Sequence, residues 1–224
     1  MPRRSAATTT ARRSRSTGSA RPRWRRRKDA RPEEIIAAAL AEFGERGFAL
    51  TRLENVARRA GVTKGTIYLY FDSKDALFKA VVRETIVPVI AEGEKLAQSF
   101  TGSARELFEQ LVRKYWNLVG ETAAIAIPKL MMAEAANFPD LTRFYYDEVV
   151  TRGHRLMAGV IERGIKSGEF RPVNVMIAAK LAMSPLMHAA VALRAFAVCM
   201  PEGLDVNAYL NTHIELFLHG IANS

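Results

Sequence analysis

The chain has 224 residues, 49% of them hydrophobic and 25% charged, which is ordinary for a globular protein with a sizeable core. The longest run without Asp, Glu, Lys or Arg is 13 residues, Leu181–Leu193, whereas a helix that crosses a bilayer needs about 20. Cys199 is the single cysteine, so no internal disulfide can form. The charged N-terminus is not followed by an apolar run, so no secretory signal is predicted and the expected location is the cytoplasm.

The formal net charge of +10 is concentrated in residues 1–28, which carry ten Arg, one Lys and no Asp or Glu. Because Trp24 is the only large apolar residue there besides Met1, this segment cannot bury enough surface to offset the entropy of ordering. We therefore expect a disordered basic tail that adds nonspecific affinity for DNA phosphates. A solvated extension without a role and an organellar transit peptide are the alternatives.

Residues 29–80 predict a small bundle of short helices. Pro32 suits a first helical turn because it lacks the N–H that would be unpaired there, and Ile36, Leu40 and Phe43 then follow on one face. Further helices are predicted over roughly 52–60 and 64–70, and from about 74 to 99.

From residue 103 onward the pattern predicts long helices without a strand. The predicted ranges are 103–119, 122–136, 139–167, 174–199 and 206–221. Gly168 is a helix stop, and Pro88 and Pro185 are expected to kink their helices. The predicted fold is all-α, with an N-terminal three-helix helix-turn-helix head at 29–80 and a larger C-terminal helical domain for ligand binding and dimerisation at 81–224.

The segment 51–74 has the pattern of a helix, a four-residue turn and a short second helix. Gly61 permits the sharp reversal because it tolerates positive φ, and Thr63 is placed to cap the second helix. Val56 and Ile67 are placed to pack across the turn. The second helix then presents small, basic and hydroxylated side chains at its N-terminal end, which suits entry into the major groove of DNA.

This segment resembles the DNA-binding domain of the tetracycline-repressor (TetR) family of bacterial regulators. The resemblance covers residues 33–80 and includes Val56-Ala57, the run from Ala60 to Tyr68, and Tyr70-Phe71 at fixed spacing. It implies a homodimer that binds a palindromic operator as a repressor and is released by a small, largely apolar ligand. Arg31 stands where the family often has Ser or Thr.

Roles in DNA binding are assigned on the motif and on the resemblance. Lys64 and Thr66 are predicted to reach base edges, Gly65 to allow close backbone approach, and Leu69 to touch a thymine methyl. Positions that resemble the family's phosphate contacts, or cap the recognition helix, complete the predicted DNA-binding set: Thr51, Arg52, Thr63, Tyr68, Tyr70 and Lys74. The alternative is that Tyr68 and Tyr70 are core aromatics and Lys74 a solvated charge.

The helical body is expected to enclose a ligand cavity. Candidate lining residues are apolar or aromatic side chains on inward faces: Ile90, Trp116, Met131, Tyr145, Met183 and Met187. The alternative is an ordinary core position, which is the commoner role of a Met or aromatic residue at helical spacing. Dimerisation is predicted through two helices near the C-terminus, with the candidate interface residues Ala178, Ala182, Ala189, Leu210, Ile214, Phe217 and Ile221. The alternative is that these stripes cover the protomer's own core.

The sequence shows no sign of catalytic or metal chemistry. The histidines His154, His188, His213 and His219 include no pair at helical ligand spacing, so neither a metal site nor a cofactor is predicted. The expected partners are double-stranded operator DNA, a second copy of the chain and an unknown effector, with no membrane. Two competing functions stay open: a nonspecific nucleoid-type DNA binder, and a helical small-molecule-binding protein or enzyme.

Overall fold

The computed structural model describes residues 32–199 and 203–223. The predicted basic tail, residues 1–28, lies outside these residues, as does the start of the predicted head. Within the described ranges the protein is helical, and the one β-type feature is an isolated bridge between Phe170 and Ala222. The all-α prediction is confirmed.

Four helices form the N-terminal part, called the head below. They are α1 (Pro32–Leu50), α2 (Leu53–Arg59), α3 (Lys64–Tyr68) and α4 (Lys74–Thr85). On the apolar face predicted for α1, Ile36 and Phe43 are buried and Leu40 is half-buried against the core. Phe43 and Phe48 pack against Phe78 of α4 with ring centroids about 5.5 Å apart. Gly47 leaves the helical conformation at φ 76°, so α1 bends sharply before its last turn.

The remaining helices form the body: α5 (Val87–Ser99), α6 (Ala104–Tyr115), α7 (Ala126–Glu134), α8 (Pro139–Tyr145), α9 (Thr151–Ser167), α10 (Val175–Ala195) and α11 (Val206–Ile221). Short π-helical segments continue α6 over Trp116–Gly120 and join α8 to α9 over Tyr146–Val150. Gly168 ends α9 in the left-handed conformation, as predicted. Buried residues of the head and the body form one continuous core.

The helix predicted from about 74 to 99 is in fact two helices. The break falls at Ile86, a turn residue between the two helices, and Pro88 occupies the first turn of α5. Because proline lacks an N–H, it is accommodated at a helix start more readily than inside one. By contrast, α10 continues through Pro185 without ending. The predicted domain boundary at residue 80 falls inside α4 and stays a prediction.

Candidate DNA-binding surface and ligand cavity

The geometry of the helix-turn-helix agrees with the sequence pattern. Gly61 has a φ of 72°, which only glycine adopts readily, and it reverses the chain between α2 and α3. The hydroxyl of Thr63 accepts a hydrogen bond from the amide of Thr66 at 3.1 Å and so caps α3. Val56 and Ile67 are fully buried on the two sides of the turn. The body of α3 is therefore fixed from one side while its opposite side faces solvent.

The solvent side of α3, here called the recognition face, consists of Lys64, Gly65, Tyr68 and Leu69. Leu69 is 80% exposed and Tyr68 is 47% exposed, an unusual degree for such large side chains. Tyr70 is exposed as well, at 48%, so the alternative that these tyrosines are core residues is wrong. These side chains lie free on the surface of the chain and are placed to meet another molecule.

Lys64 has one charged neighbour on this face. Its ammonium pairs with the carboxylate of Glu54 on α2, and this hydrogen bond raises the pKa of Lys64 and lowers that of Glu54. The ammonium also lies 5.7 Å from the centroid of the Tyr68 ring. Because the pair is exposed to water, DNA can compete with Glu54 for this cation at small cost. Arg52 and Thr63 are exposed beside it, and Thr66 is half-buried.

Two residues of the predicted DNA-binding set point inward instead. The Thr51 side chain is buried, and its hydroxyl donates to the Gly47 carbonyl at 2.6 Å. The Lys74 ammonium donates to the carbonyls of Phe48, Ala49 and Thr51 at 2.7 to 3.2 Å. All three N–H bonds of the Lys74 ammonium thus have carbonyl acceptors. Burial lowers the pKa of this side chain. The geometry gives both side chains a role in holding the end of α1, and this disfavours direct contact with phosphates.

The body holds the end of α1 from the side opposite Lys74. Glu134, the last residue of α7, accepts hydrogen bonds from the amides of Phe48 at 2.8 Å and Ala49 at 3.0 Å. Position 47 favours glycine because its φ of 76° is rarely adopted by other residues, and a Cβ there would also meet the Glu134 carboxylate. Glu134 and Lys74, with the segment 47–51 between them, are called the head–body clamp below. Sequence reasoning did not identify this clamp, because no local pattern joins residues so far apart in the chain.

A cavity of about 230 Å³ lies inside the body beside the junction of α4 and α5. Four of the predicted ligand residues line it: Ile90, Tyr145, Met183 and Met187. Ile86, the residue at the break between the two helices, also lines it. Other lining residues, which sequence reasoning did not select, include Tyr115 and His154. The signal that could have identified Tyr115 is its hydroxyl, because a tyrosine among buried apolar side chains needs a hydrogen-bond partner.

The other two candidate ligand residues do not line this cavity. Trp116 is 1% exposed, and its indole N–H donates to the carboxylate of Glu121 at 3.1 Å. Met131 is buried and packs in the core. Trp116 follows Tyr115 in the chain, and a one-residue step turns a helical side chain by about 100°. The tyrosine therefore faces the cavity while the tryptophan packs elsewhere.

The predicted dimer residues lie within the core of the protomer. Ala178, Ala182 and Ala189 on α10 are buried, as are Leu210, Ile214 and Ile221 on α11, and the Phe217 ring stacks on Phe108 at 4.8 Å. Six of the seven are thus covered by their own chain and Phe217 is half-buried, which disfavours them as the interface. The opposite faces of both helices expose other apolar side chains, namely Ile177, Leu181 and Leu216.

Helix α10 is long and apolar enough to cross a membrane by length and composition, with a mean hydropathy of 1.5. It nevertheless packs on α9 and contributes to the core, and it carries Lys180 and Arg194. Such an apolar composition is typical of the core helix of a globular protein as well as of a membrane span. In the parts of the chain that the structure describes, no group of His, Cys, Asp and Glu has the geometry of a metal site.

These features define a helix-turn-helix DNA-binding protein with a ligand-sized cavity behind the DNA-binding head. Residues 35–81 match the family model for bacterial regulatory proteins of the tetR family. Residues 106–220, more than half of the chain, match the C-terminal domain of AefR-like transcriptional repressors. The chain belongs to the TetR family of bacterial regulatory proteins, and it is a DNA-binding transcriptional regulator.

Individual relatives agree with this assignment. The chain is 25% identical over 199 residues to the fatty acid metabolism regulator protein of Bacillus subtilis, covering 88% of this chain and 99% of that protein. It is 28% identical over 145 residues to the transcriptional repressor KstR2 of Rhodococcus jostii, covering 64% and 70% of the two chains. The crystal structure of FadR from Bacillus subtilis in complex with stearoyl-CoA shares the fold, with a TM-score of 0.72, 22% identity, and coverage of 85% and 100%.

Proposed function

We propose that the protein is a repressor that binds a palindromic operator as a homodimer and is released when a small, largely apolar ligand enters the cavity. The observation that carries this proposal is the position of Ile86. Ile86 lines the cavity and is the turn residue between α4 and α5. Helix α4 packs directly against α1 in the head. A ligand that displaces Ile86 therefore acts on the helix that supports the recognition face.

The contacts with DNA are proposed for the exposed side chains of the predicted set. Lys64, Thr66 and Leu69 are proposed to meet base edges, with Gly65 allowing close approach of the backbone. Arg52, Tyr68 and Tyr70 are proposed to contact phosphates, which fix the register without reading sequence. Thr63 serves as the cap of α3, and Thr51 and Lys74 support the head from inside.

The homodimer is proposed to form through the exposed faces of α10 and α11. Ile177 and Leu181 lie one helical turn apart on α10 and are 55% and 62% exposed, and Leu216 on α11 is 69% exposed. An apolar surface of this kind is stabilised when a second copy covers it. In such a dimer we expect the recognition faces to lie about 34–36 Å apart or more, one turn of the DNA helix.

The relatives indicate a class of effector. One is named for fatty acid metabolism, and KstR2 from Mycobacterium tuberculosis is described as a ketosteroid transcriptional regulator. Both names refer to largely apolar molecules, and the cavity here is lined mainly by Val, Ile, Met and Tyr. We place the protein in the bacterial cytoplasm, on the nucleoid, and we assign it no enzymatic activity.

The test is binding of the purified full chain to DNA from just upstream of its own gene, at about 150 mM salt with scrambled DNA as competitor. Tight binding that resists the competitor supports a specific operator. Binding that scrambled DNA abolishes favours the nonspecific nucleoid-type alternative. Deletion of residues 1–28 is expected to lower affinity for all DNA while the preference for the operator persists.

A further inference from the structure

The chemistry of the cavity narrows the kind of effector, and the inference rests on the proposed function. We infer that the cavity binds an uncharged, compact molecule with a single hydrogen-bond acceptor oxygen, held by the hydroxyls of Tyr115 and Tyr145. Three observations support this inference independently: the size of the cavity, the absence of charged side chains from its lining, and the lack of hydrogen-bond partners for these two hydroxyls.

The volume of the cavity sets the size of the molecule. An apolar cavity of about 150 Å³ holds a benzene molecule, so about 230 Å³ has room for roughly nine non-hydrogen atoms. That corresponds to one substituted ring or a medium-length chain. A smaller hollow of about 70 Å³ shares Ile90, Tyr115 and Met183 as lining, so the space extends only slightly toward α9.

The lining excludes a charged molecule. Among the described residues, no Asp, Glu, Lys or Arg lines the cavity. Lys114 borders the smaller hollow, but its ammonium pairs with Glu92 at 2.8 Å. Burial, together with the nearby charge of Lys180, lowers the pKa of His154, so this side chain is neutral near pH 7. A carboxylate or phosphate inside the cavity would thus lose its hydration without gaining a counter-charge.

The polar side chains of the lining that remain free are the two phenols and the neutral imidazole of His154. Tyr115 comes from the end of α6 and Tyr145 from the end of α8, and both side chains line the cavity. Across residues 32–199 and 203–223, neither hydroxyl has a hydrogen-bond partner, and burial raises the pKa of Tyr115 to about 12 and also raises that of Tyr145. The Ser184 hydroxyl, by contrast, already donates to the Lys180 carbonyl at 2.8 Å.

A phenol in an apolar site is stabilised when its O–H finds an acceptor. Both tyrosines keep their protons, so each offers a donor to the cavity. A carbonyl oxygen has two lone pairs and accepts from both. A ketone, an ester or an aldehyde with an apolar remainder thus matches the cavity in size, charge and hydrogen bonding.

Three probes with the same number of non-hydrogen atoms test this inference: acetophenone, cumene and benzoate. They share a phenyl ring and differ in carrying a neutral carbonyl, no oxygen, or an anionic carboxylate. Binding to the full-length protein is measured by calorimetry, and release of operator DNA is measured in parallel. We expect acetophenone to bind about 25-fold more tightly than cumene, because each of the two net hydrogen bonds is worth about fivefold. Benzoate should bind at least tenfold more weakly than acetophenone.

Tyr115→Phe and Tyr145→Phe keep the shape of the cavity and remove one donor each. Each is expected to reduce the preference for acetophenone over cumene, and the double variant to abolish it. Tyr146→Phe is the matched control, because Tyr146 is the next residue and is exposed. Any of four results would overturn the inference: cumene or benzoate binds as tightly as acetophenone, acetophenone does not bind up to its solubility, or the double variant keeps the preference for acetophenone over cumene. Binding of acetophenone without release of operator would support the site and contradict the proposed release mechanism.

Discussion

The head and the body each present a surface that no other part of the described chain covers, and the two surfaces differ in chemistry. The recognition face carries a lysine, a glycine and an exposed tyrosine on a helix whose N-terminus is capped by Thr63. The exposed faces of α10 and α11 carry Ile177, Leu181 and Leu216. A face with a cation and exposed backbone suits a polyanion, whereas an aliphatic face suits a second protein surface.

The contrast teaches that apolar periodicity in the sequence is a poor guide to which helix face is left for a partner. In the head, the residues proposed to meet DNA include large side chains that are exposed. In the body, the regular apolar stripes are buried within the protomer, and the exposed apolar residues lie outside those stripes. The predictions below test this difference, beginning with the largest expected effect.

Substitution of Leu181 by Glu is expected to convert the dimer into a monomer, because it places a charge in the centre of the proposed interface. Operator affinity should fall by about a hundredfold or more, since a monomer contacts one half-site. Light scattering coupled to size exclusion measures the mass, and fluorescence anisotropy measures operator binding. Met132→Glu is the matched control, because Met132 is a similarly exposed apolar residue, at 58%, on α7. A dimer that survives Leu181→Glu, or that dissociates on Met132→Glu, would place the interface elsewhere.

A comparison of Lys64 with Lys74 tests the division of the predicted DNA-binding set into outward and inward residues. Lys64→Ala is expected to weaken operator binding by about tenfold or more, with the melting temperature unchanged. Lys74→Met removes an ammonium that donates to three carbonyls, and it should lower the free energy of unfolding by about 1–3 kcal/mol. Thermal unfolding and anisotropy are measured on both variants. A Lys74 variant with native stability and reduced DNA affinity would restore its role as a phosphate contact.

The amino-acid sequence predicts the head far better than the body, for a physical reason. Gly61 and Thr63 act through φ and through a hydrogen bond within three residues, so their roles are visible in a local pattern. The break at Ile86 was foreseen only as a kink at Pro88, because the pattern does not distinguish a bent helix from two helices.

In the body, periodicity identifies buried positions but not what covers them. Ala182 and Ile214 belong to the apolar stripes that periodicity identifies. They were predicted to lie in the dimer interface, whereas the structure buries them in the core of their own chain. Tyr115 and Glu134 depend on contacts between helices far apart in the sequence, 86 residues in the case of Phe48 and Glu134. Such pairings follow from the packing of the whole chain.

The head–body clamp gives a third, smaller effect. Glu134→Gln keeps one carbonyl oxygen for the amides of Phe48 and Ala49 and replaces the other with a donor, so one of the two bonds is lost. We expect a loss of about 1–2 kcal/mol in the free energy of unfolding, or a few degrees in melting temperature. Glu162→Gln is the control, because Glu162 forms an exposed pair with Lys166 within α9. Equal effects of the two substitutions would show that Glu134 does not hold the head.

The smallest expected effect is a dependence of stability on pH that originates in the body. The Nε2 atom of His213 on α11 is buried without a hydrogen-bond partner, and burial lowers the pKa of this side chain, with a hydrogen bond to the backbone of Ala182 acting in the opposite direction. In the unfolded chain a histidine titrates near about 6.5, so as the pH falls through that value the unfolded state takes up a proton before the folded state does. The free energy of unfolding should therefore decrease as the pH falls below about 6.5 and stay constant above it.

His213→Asn removes Nε2, and urea unfolding at a series of pH values should then give a shallower decrease. The pKa of His154 is lowered in the same direction, so part of the slope should remain in this variant and disappear only when both histidines are replaced. A slope that His213→Asn leaves unchanged would mean that His213 is protonated equally in both states, and its buried nitrogen would then have to reach water in the folded protein.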